Sequence, residues 1–97
     1  MRIYKCERDV KTRAKEILVE YGAYFFMPAM NGFGRAGIPD IIVCHKGRFL
    51  ALECKFGYNK PTPHQALELQ AVINHGGEAM VLNEHNVEEL RDVLARL

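Results

Sequence analysis

The stretch GIPDIIVCHKGRFLALECKFG, Gly37 to Gly57, constrains the fold more than any other part of the chain. Two runs rich in Ile, Val, Phe and Leu, DIIVCH and RFLALECK, are joined through HKGR. Runs of this length and composition read as strands, and the Lys46-Gly47 pair between them reads as a tight turn. A turn centred there makes an antiparallel hairpin in which Asp40 faces Glu53. Cα atoms of facing residues lie roughly 4.5–5.5 Å apart, with side chains leaving the same face. Lys55 shares the face of Glu53, because residues two apart in a strand point the same way. Cys54 points to the other face, so its thiol belongs to the core and only its carbonyl can reach the charged cluster.

Two carboxylates and an ammonium therefore converge at the open end of the hairpin. Ile41, Ile42, Val43, Phe49, Leu50, Ala51 and Leu52 make these strands look buried on both faces. Charges at the ends of buried strands need partners or a task. An exposed ion cluster on a sheet edge is the alternative, and the apolar flanks argue against it. Two close carboxylates repel unless positive charge stands between them. Lys55 supplies part of that charge. A hard divalent cation fits better, with Mg²⁺ (or Mn²⁺) bound through one or two carboxylates at about 2.0–2.1 Å. Such an ion beside a lysine suits hydrolysis of a phosphodiester, since it acidifies a bound water and neutralises charge growing on the phosphate. Lys55 would orient the water or stabilise that charge. The chain has no GxSxG elbow and no Walker-type phosphate loop.

The rest of the chain supplies a frame for this hairpin. Val10, Ala14, Ile17, Leu18 and Tyr21 recur at helical steps, predicting an amphipathic helix over residues 6–21 that Gly22 ends. AYFFMPA reads as a strand stopping near Pro28, with Phe25 and Phe26 on opposite faces. MNGFGRAG, with three glycines in eight residues, and GYNKPTP read as loops. HQALELQAVINH is a helix with Thr62 as N-cap, Pro63 at its first position and Gly76-Gly77 at its end. EAMVLN is a short strand, and NVEELRDVLARL a closing helix with Asn86 as cap. The order is αβββαβα, and the helix between the last two strands makes that pair parallel. The fold class is α/β: one domain over residues 1–97, a small mixed sheet flanked by helices.

Composition narrows the setting. No run of about 18 apolar residues is present, so no membrane span is expected, and the charged start MRIYKCERDVKTRAKE lacks the apolar segment of a secretion signal. Cys6, Cys44 and Cys54 are an odd number without framework spacing, which points to reduced thiols in a cytoplasmic, intracellular setting. With His45, His64, His75 and His85 they do not make zinc-ligand spacing. Residues 1–60 hold 11 Lys/Arg against 6 Asp/Glu, whereas residues 61–97 hold 2 against 6. That asymmetry allows a basic face for a polyanion.

At this point the residues carry a resemblance. Pro39-Asp40, a twelve-residue gap and Glu53-Cys54-Lys55 resemble the PD-(D/E)xK nuclease signature. GIPD, the short hairpin, LECK and the TPHQ helix opening are similar to the VRR-NUC nucleases, over about Cys6 to Val81. That family includes stand-alone phage-type proteins as well as domains fused to repair enzymes. The resemblance implies a restriction-endonuclease-like core in which Asp40, Glu53 and the Cys54 carbonyl hold the metal. It implies Lys55 as the catalytic lysine and Gln65 as a glutamine near the water or phosphate. It also implies an acidic residue from the first helix, for which Glu7 is the choice and Glu16 and Glu20 the alternatives. No distinctive arginine motif follows the last strand.

Arg35 in the glycine loop and Lys60 in YNKPTP flank the hairpin's open end and are candidates for phosphate contacts. No DNA-reading module accompanies the core, so cutting selected by DNA structure is expected rather than by sequence. The resemblance points to branched DNA such as four-way junctions, and to a homodimer presenting two sites to opposed strands. A non-catalytic nucleic-acid-binding or assembly module on the same fold, and an RNA-directed nuclease, are the competing readings.

Overall fold

The computed structural model describes residues 1–29 and 34–97. Helix α1 spans Glu7–Glu20, followed by strands β1 (Tyr24–Phe26), β2 (Ile41–His45) and β3 (Arg48–Cys54). Helix α2 (Pro63–Asn74) and strand β4 (Glu78–Leu82) come next, and a 3₁₀ turn, Val87–Glu89, leads into α3 (Leu90–Arg96). The order is the αβββαβα expected. Of the glycine loop, residues 30–33 lie outside the described residues.

The four strands lie in one sheet in chain order. β1–β2 and β2–β3 are antiparallel, while β3–β4 is parallel across the α2 crossover. The β2–β3 register pairs Ile41 with Leu52, Val43 with Leu50 and His45 with Arg48. That is the register of a turn centred on Lys46-Gly47, and both residues take positive φ, 53° and 77°. Such a turn matches the natural twist of the strands it joins.

α1 begins without a side-chain cap at Cys6 and stops where Gly22 turns left-handed at φ 69°. Its Val10, Ala14, Ile17 and Leu18 pack with Ile41, Val43, Leu50, Leu52 and Cys54 of the hairpin and with Leu90, Val93 and Leu94 of α3. Arg13 forks onto Glu88, holding the first helix to the 3₁₀ turn. α2 opens with a capping box, in which Thr62 Oγ1 accepts from the Gln65 N–H and Gln65 Oε1 accepts from the Thr62 N–H. It contacts β3 and β4.

Three expectations need correction. The hairpin is not buried throughout, since Phe49 is 45% exposed and Cys44 is exposed. α2 packs on β3 and β4 and leaves the outer face of the β1–β2 side open, where Tyr24, Phe26 and Cys44 are exposed, and Phe49, paired with Cys44, stands at the border of that open face. The first strand is only three residues long, with Phe25 packed on the core. Finally, Asn86 does not cap the last helix through its side chain. Its Oδ1 accepts from the Asn83 N–H at 2.8 Å and its Nδ2 donates to the Val81 carbonyl at 3.0 Å, so it secures the end of β4 instead. Among the described residues no helix is long and apolar enough to cross a membrane.

Candidate active site

Asp40 sits one residue before β2, just after Pro39, and its side chain turns back onto the hairpin. Its Oδ2 accepts a hydrogen bond from the Cys54 N–H at 2.8 Å. That backbone donor is the next residue along from Glu53. One acid is thus tied to the main chain that carries the other. Asp40 Oδ1 lies 3.5 Å from the Lys11 ammonium.

Glu53 is 1% exposed. Its Oε2 lies 3.5 Å from Lys55 Nζ, and its Oε1 is buried with no hydrogen-bond partner. Burial, with Asp40 close by, pushes its carboxyl up to about 7, against the opposing pull of Lys55. Lys55 is itself mostly buried, and its N–H donates to the Leu82 carbonyl at 2.8 Å, continuing the β3–β4 pairing. The Cys54 side chain lies in the core, where burial pushes its thiol up to about 12. It is inert as a nucleophile, and neutral at any ordinary pH.

The first helix brings Glu7 to the cluster. Lys11, one turn on, lies 3.5 Å from Glu7 Oε2, so its ammonium stands between Glu7 and Asp40. Glu7 is also close enough to disfavour ionisation of Glu53. The alternatives are engaged elsewhere: Glu16 pairs with Arg2 and Arg13, and Glu20 with Arg91. Lys11 is the residue that sequence reasoning missed. The signal available was the Glu7–Lys11 spacing of four, which sets the two side chains on one helix face.

Gln65 stands in the first turn of α2, and its side-chain carbonyl is taken by the Thr62 N–H. The glycine loop reaches the same helix end. At Gly37, φ is +83°, and a Cβ there would lie 2.5 Å from the backbone carbon and oxygen of His64 and 2.8 Å from the nitrogen of Gln65. Only glycine allows this approach. Arg35 forks onto Glu68 of α2 at 2.9 and 3.0 Å while remaining 75% exposed. Lys60 is exposed in the β3–α2 loop, which Glu84 steadies by accepting from the Gly57 N–H at 3.1 Å.

The donor set suits a hard divalent ion. Among the described residues no group of three or more His, Cys, Asp or Glu side chains forms a cage. Two carboxylates with the remaining positions left to water is the manner in which Mg²⁺ binds. The unpartnered Glu53 Oε1 is the observation that fits: a buried oxygen lone pair without a donor is satisfied by a cation.

No protein-family profile matches the chain. A solved structure described as a VRR_NUC domain superposes with a TM-score of 0.74 at 26% identity, covering 89% of this chain and 94% of its own. A protein named "Putative nuclease p44", from Acyrthosiphon pisum secondary endosymbiont phage 1, is 31% identical over 58 residues. That match takes in 59% of this chain and 62% of the phage protein, so the chain spans about three fifths of that relative's length. In fold and in sequence the chain is therefore similar to a VRR_NUC domain, and it has the restriction-endonuclease-like architecture.

Proposed function

We propose that the chain is a Mg²⁺- or Mn²⁺-dependent DNA endonuclease that hydrolyses phosphodiester bonds, selecting branched DNA such as four-way junctions or flaps. The observation that carries this reading is the buried, unpartnered oxygen of Glu53, beside Asp40 and within 3.5 Å of Lys55. A non-catalytic module would leave that oxygen as a cost to stability with nothing in return. The likeness to the VRR_NUC domain and to the phage nuclease supports the same reading.

Asp40 and Glu53 would hold the ion, with the Cys54 carbonyl completing the protein's share. The bound ion supplies an acidified water and neutralises charge growing on the phosphate. Lys55, mostly buried on a strand, keeps its ammonium at a set position, where it orients the water or meets the developing charge. Gln65 would offer its side-chain amide nitrogen to the phosphate while its carbonyl holds the cap. Glu7 would act through its place beside Lys11 and Asp40. Arg35 and Lys60 would contact flanking phosphates and contribute affinity without sequence information. A homodimer through the exposed β1 edge, where Tyr24, Phe26 and Met27 stand in solvent, would bring two sites to opposed strands of a junction. Such a substrate places the protein inside the cell, where phage-borne DNA is processed.

The test is cleavage of matched four-way junction, flap, plain duplex and RNA substrates with Mg²⁺, Mn²⁺ or EDTA. The expected result is metal-dependent cutting of branched DNA, lost in Asp40→Asn and Lys55→Met. Full activity in either variant would sink the assignment. Light scattering in the same buffers reads the dimer.

A further inference from the structure

Lys11 takes no part in the chemistry proposed above, yet it is the charge placed most centrally. Its ammonium lies 3.5 Å from Glu7 and 3.5 Å from Asp40. On the other side of the cluster Lys55 lies 3.5 Å from Glu53. Three carboxylates thus face two ammoniums. The two lysines differ in freedom: the Lys55 side chain is 12% exposed, whereas that of Lys11 is 31% exposed. Both Lys11 contacts are longer than the roughly 2.7–2.9 Å of a charge-assisted hydrogen bond. Its ammonium is shared between two acids rather than locked to one, on a flexible stem with a path to water.

We infer that Lys11 is a displaceable internal counter-cation, which holds Glu7 and Asp40 together without a divalent ion and swings into solvent when one binds. This rests on the metal-dependent reading above and adds to it. The same ammonium that keeps the acids from repelling also opposes the ion that replaces it, so Lys11 sets the metal concentration at which the site fills. A lysine that only braced the acids would have the opposite effect, because removing it would loosen the site and weaken metal binding.

The experiment is calorimetric titration of Mg²⁺ and of Mn²⁺ into the full chain and its Lys11→Gln and Lys11→Arg variants at low salt. With no ammonium to displace from Glu7 and Asp40, the ion binds more tightly, and about tenfold is expected for Lys11→Gln. Lys11→Arg, which keeps the charge, should bind as the parent does. Without metal, Lys11→Gln should melt at a lower temperature than the parent, and saturating metal should close that gap. Equal or weaker metal binding by Lys11→Gln overturns the inference. Should that variant not fold, the lysine side-chain NMR signals of the parent decide. The Lys11 signal must move with metal saturation, and an unmoved signal overturns the inference equally. A parent chain that binds no metal overturns the nuclease reading itself, which separates the two failures.

Discussion

The carboxylate of Asp40 is held by the backbone N–H of Cys54 at 2.8 Å, so the acid that precedes β2 is fastened to the last residue of β3. Asp40→Asn keeps an acceptor oxygen for that bond and removes the charge, whereas Asp40→Ala removes both. Both variants should lose cleavage, by about 10³-fold or more if the residue carries a metal. Only the alanine variant should lose stability as well, by about 1–2 kcal/mol for an orphaned backbone donor. Denaturant melts alongside cleavage assays check the split.

The raised pKa of Glu53 makes a pH prediction for the metal-free chain. Its folded value of about 7 lies above the ordinary 4.5. Between those values the folded chain keeps a proton that the unfolded chain has released, so stability falls as pH rises from about 4.5 to about 7. Glu88, held down to about 2 by hydrogen bonds from Arg13 and Arg91, acts in a separate window. It contributes stability above about 4.5 that is lost as pH falls toward 2. Denaturant midpoints in EDTA should therefore be highest near pH 4.5–5. Glu53→Gln should flatten the descent between pH 5 and 7, and an unchanged descent in that variant would count against the assignment.

Metal binding should run opposite to that slope. Glu53 must ionise to hold a cation, so Mg²⁺ affinity should weaken as pH falls below about 7. Titrations at pH 7 in buffers of different ionisation enthalpy should report proton release on binding, which Glu53→Gln abolishes.

Gly37 joins the loop before Asp40 to the start of α2 at a distance no side chain tolerates. Gly37→Ala combines a left-handed φ with a clash against backbone atoms, and should cost about 2 kcal/mol or more. Because His64 and Gln65 would have to give way, cleavage should fall further than thermal stability accounts for at assay temperature. Melting curves and rates measured on the same preparation test this.

Arg35 is paired before any phosphate reaches it, with Glu68 taking both arms of its guanidinium. Glu68→Gln should release it and tighten DNA binding about two- to fivefold at low salt. Arg35→Ala should weaken binding and reduce the salt slope by about 1. Both should leave stability within about 1 kcal/mol, because the Arg35 end of the pair stands in solvent. Fluorescence anisotropy across a salt series gives both numbers.

How far the site could be read in advance depended on what positions each residue. The hairpin register was legible because Lys46-Gly47 is a local turn, and local turns set the pairing of everything beyond them. Glu53 and Lys55 followed from strand alternation. The hydrogen bond from Cys54 to Asp40 was not legible, because Asp40 lies outside β2 and its side chain is free of the strand's alternation. Lys11 was hidden for a related reason: its meeting with Asp40 depends on how α1 docks, which helical periodicity leaves open. Asn86 has a good capping residue type, but its side chain is taken by Asn83 and by the Val81 carbonyl at the end of β4. Phe49 looks like core by composition and is exposed because it pairs with Cys44 at the border of the face that α2 leaves open.

The two left-handed residues at the tip of the hairpin bear on how this protein can vary. The tip stands roughly 20 Å along the strand from Asp40, at about 3.3 Å per residue, and touches none of the chemistry. Yet a slip of one residue in the pairing set there would carry Glu53 and Lys55 to the opposite side while Asp40 stayed in place. The remote bend at Lys46-Gly47 thereby governs whether the two acids stay within reach of each other.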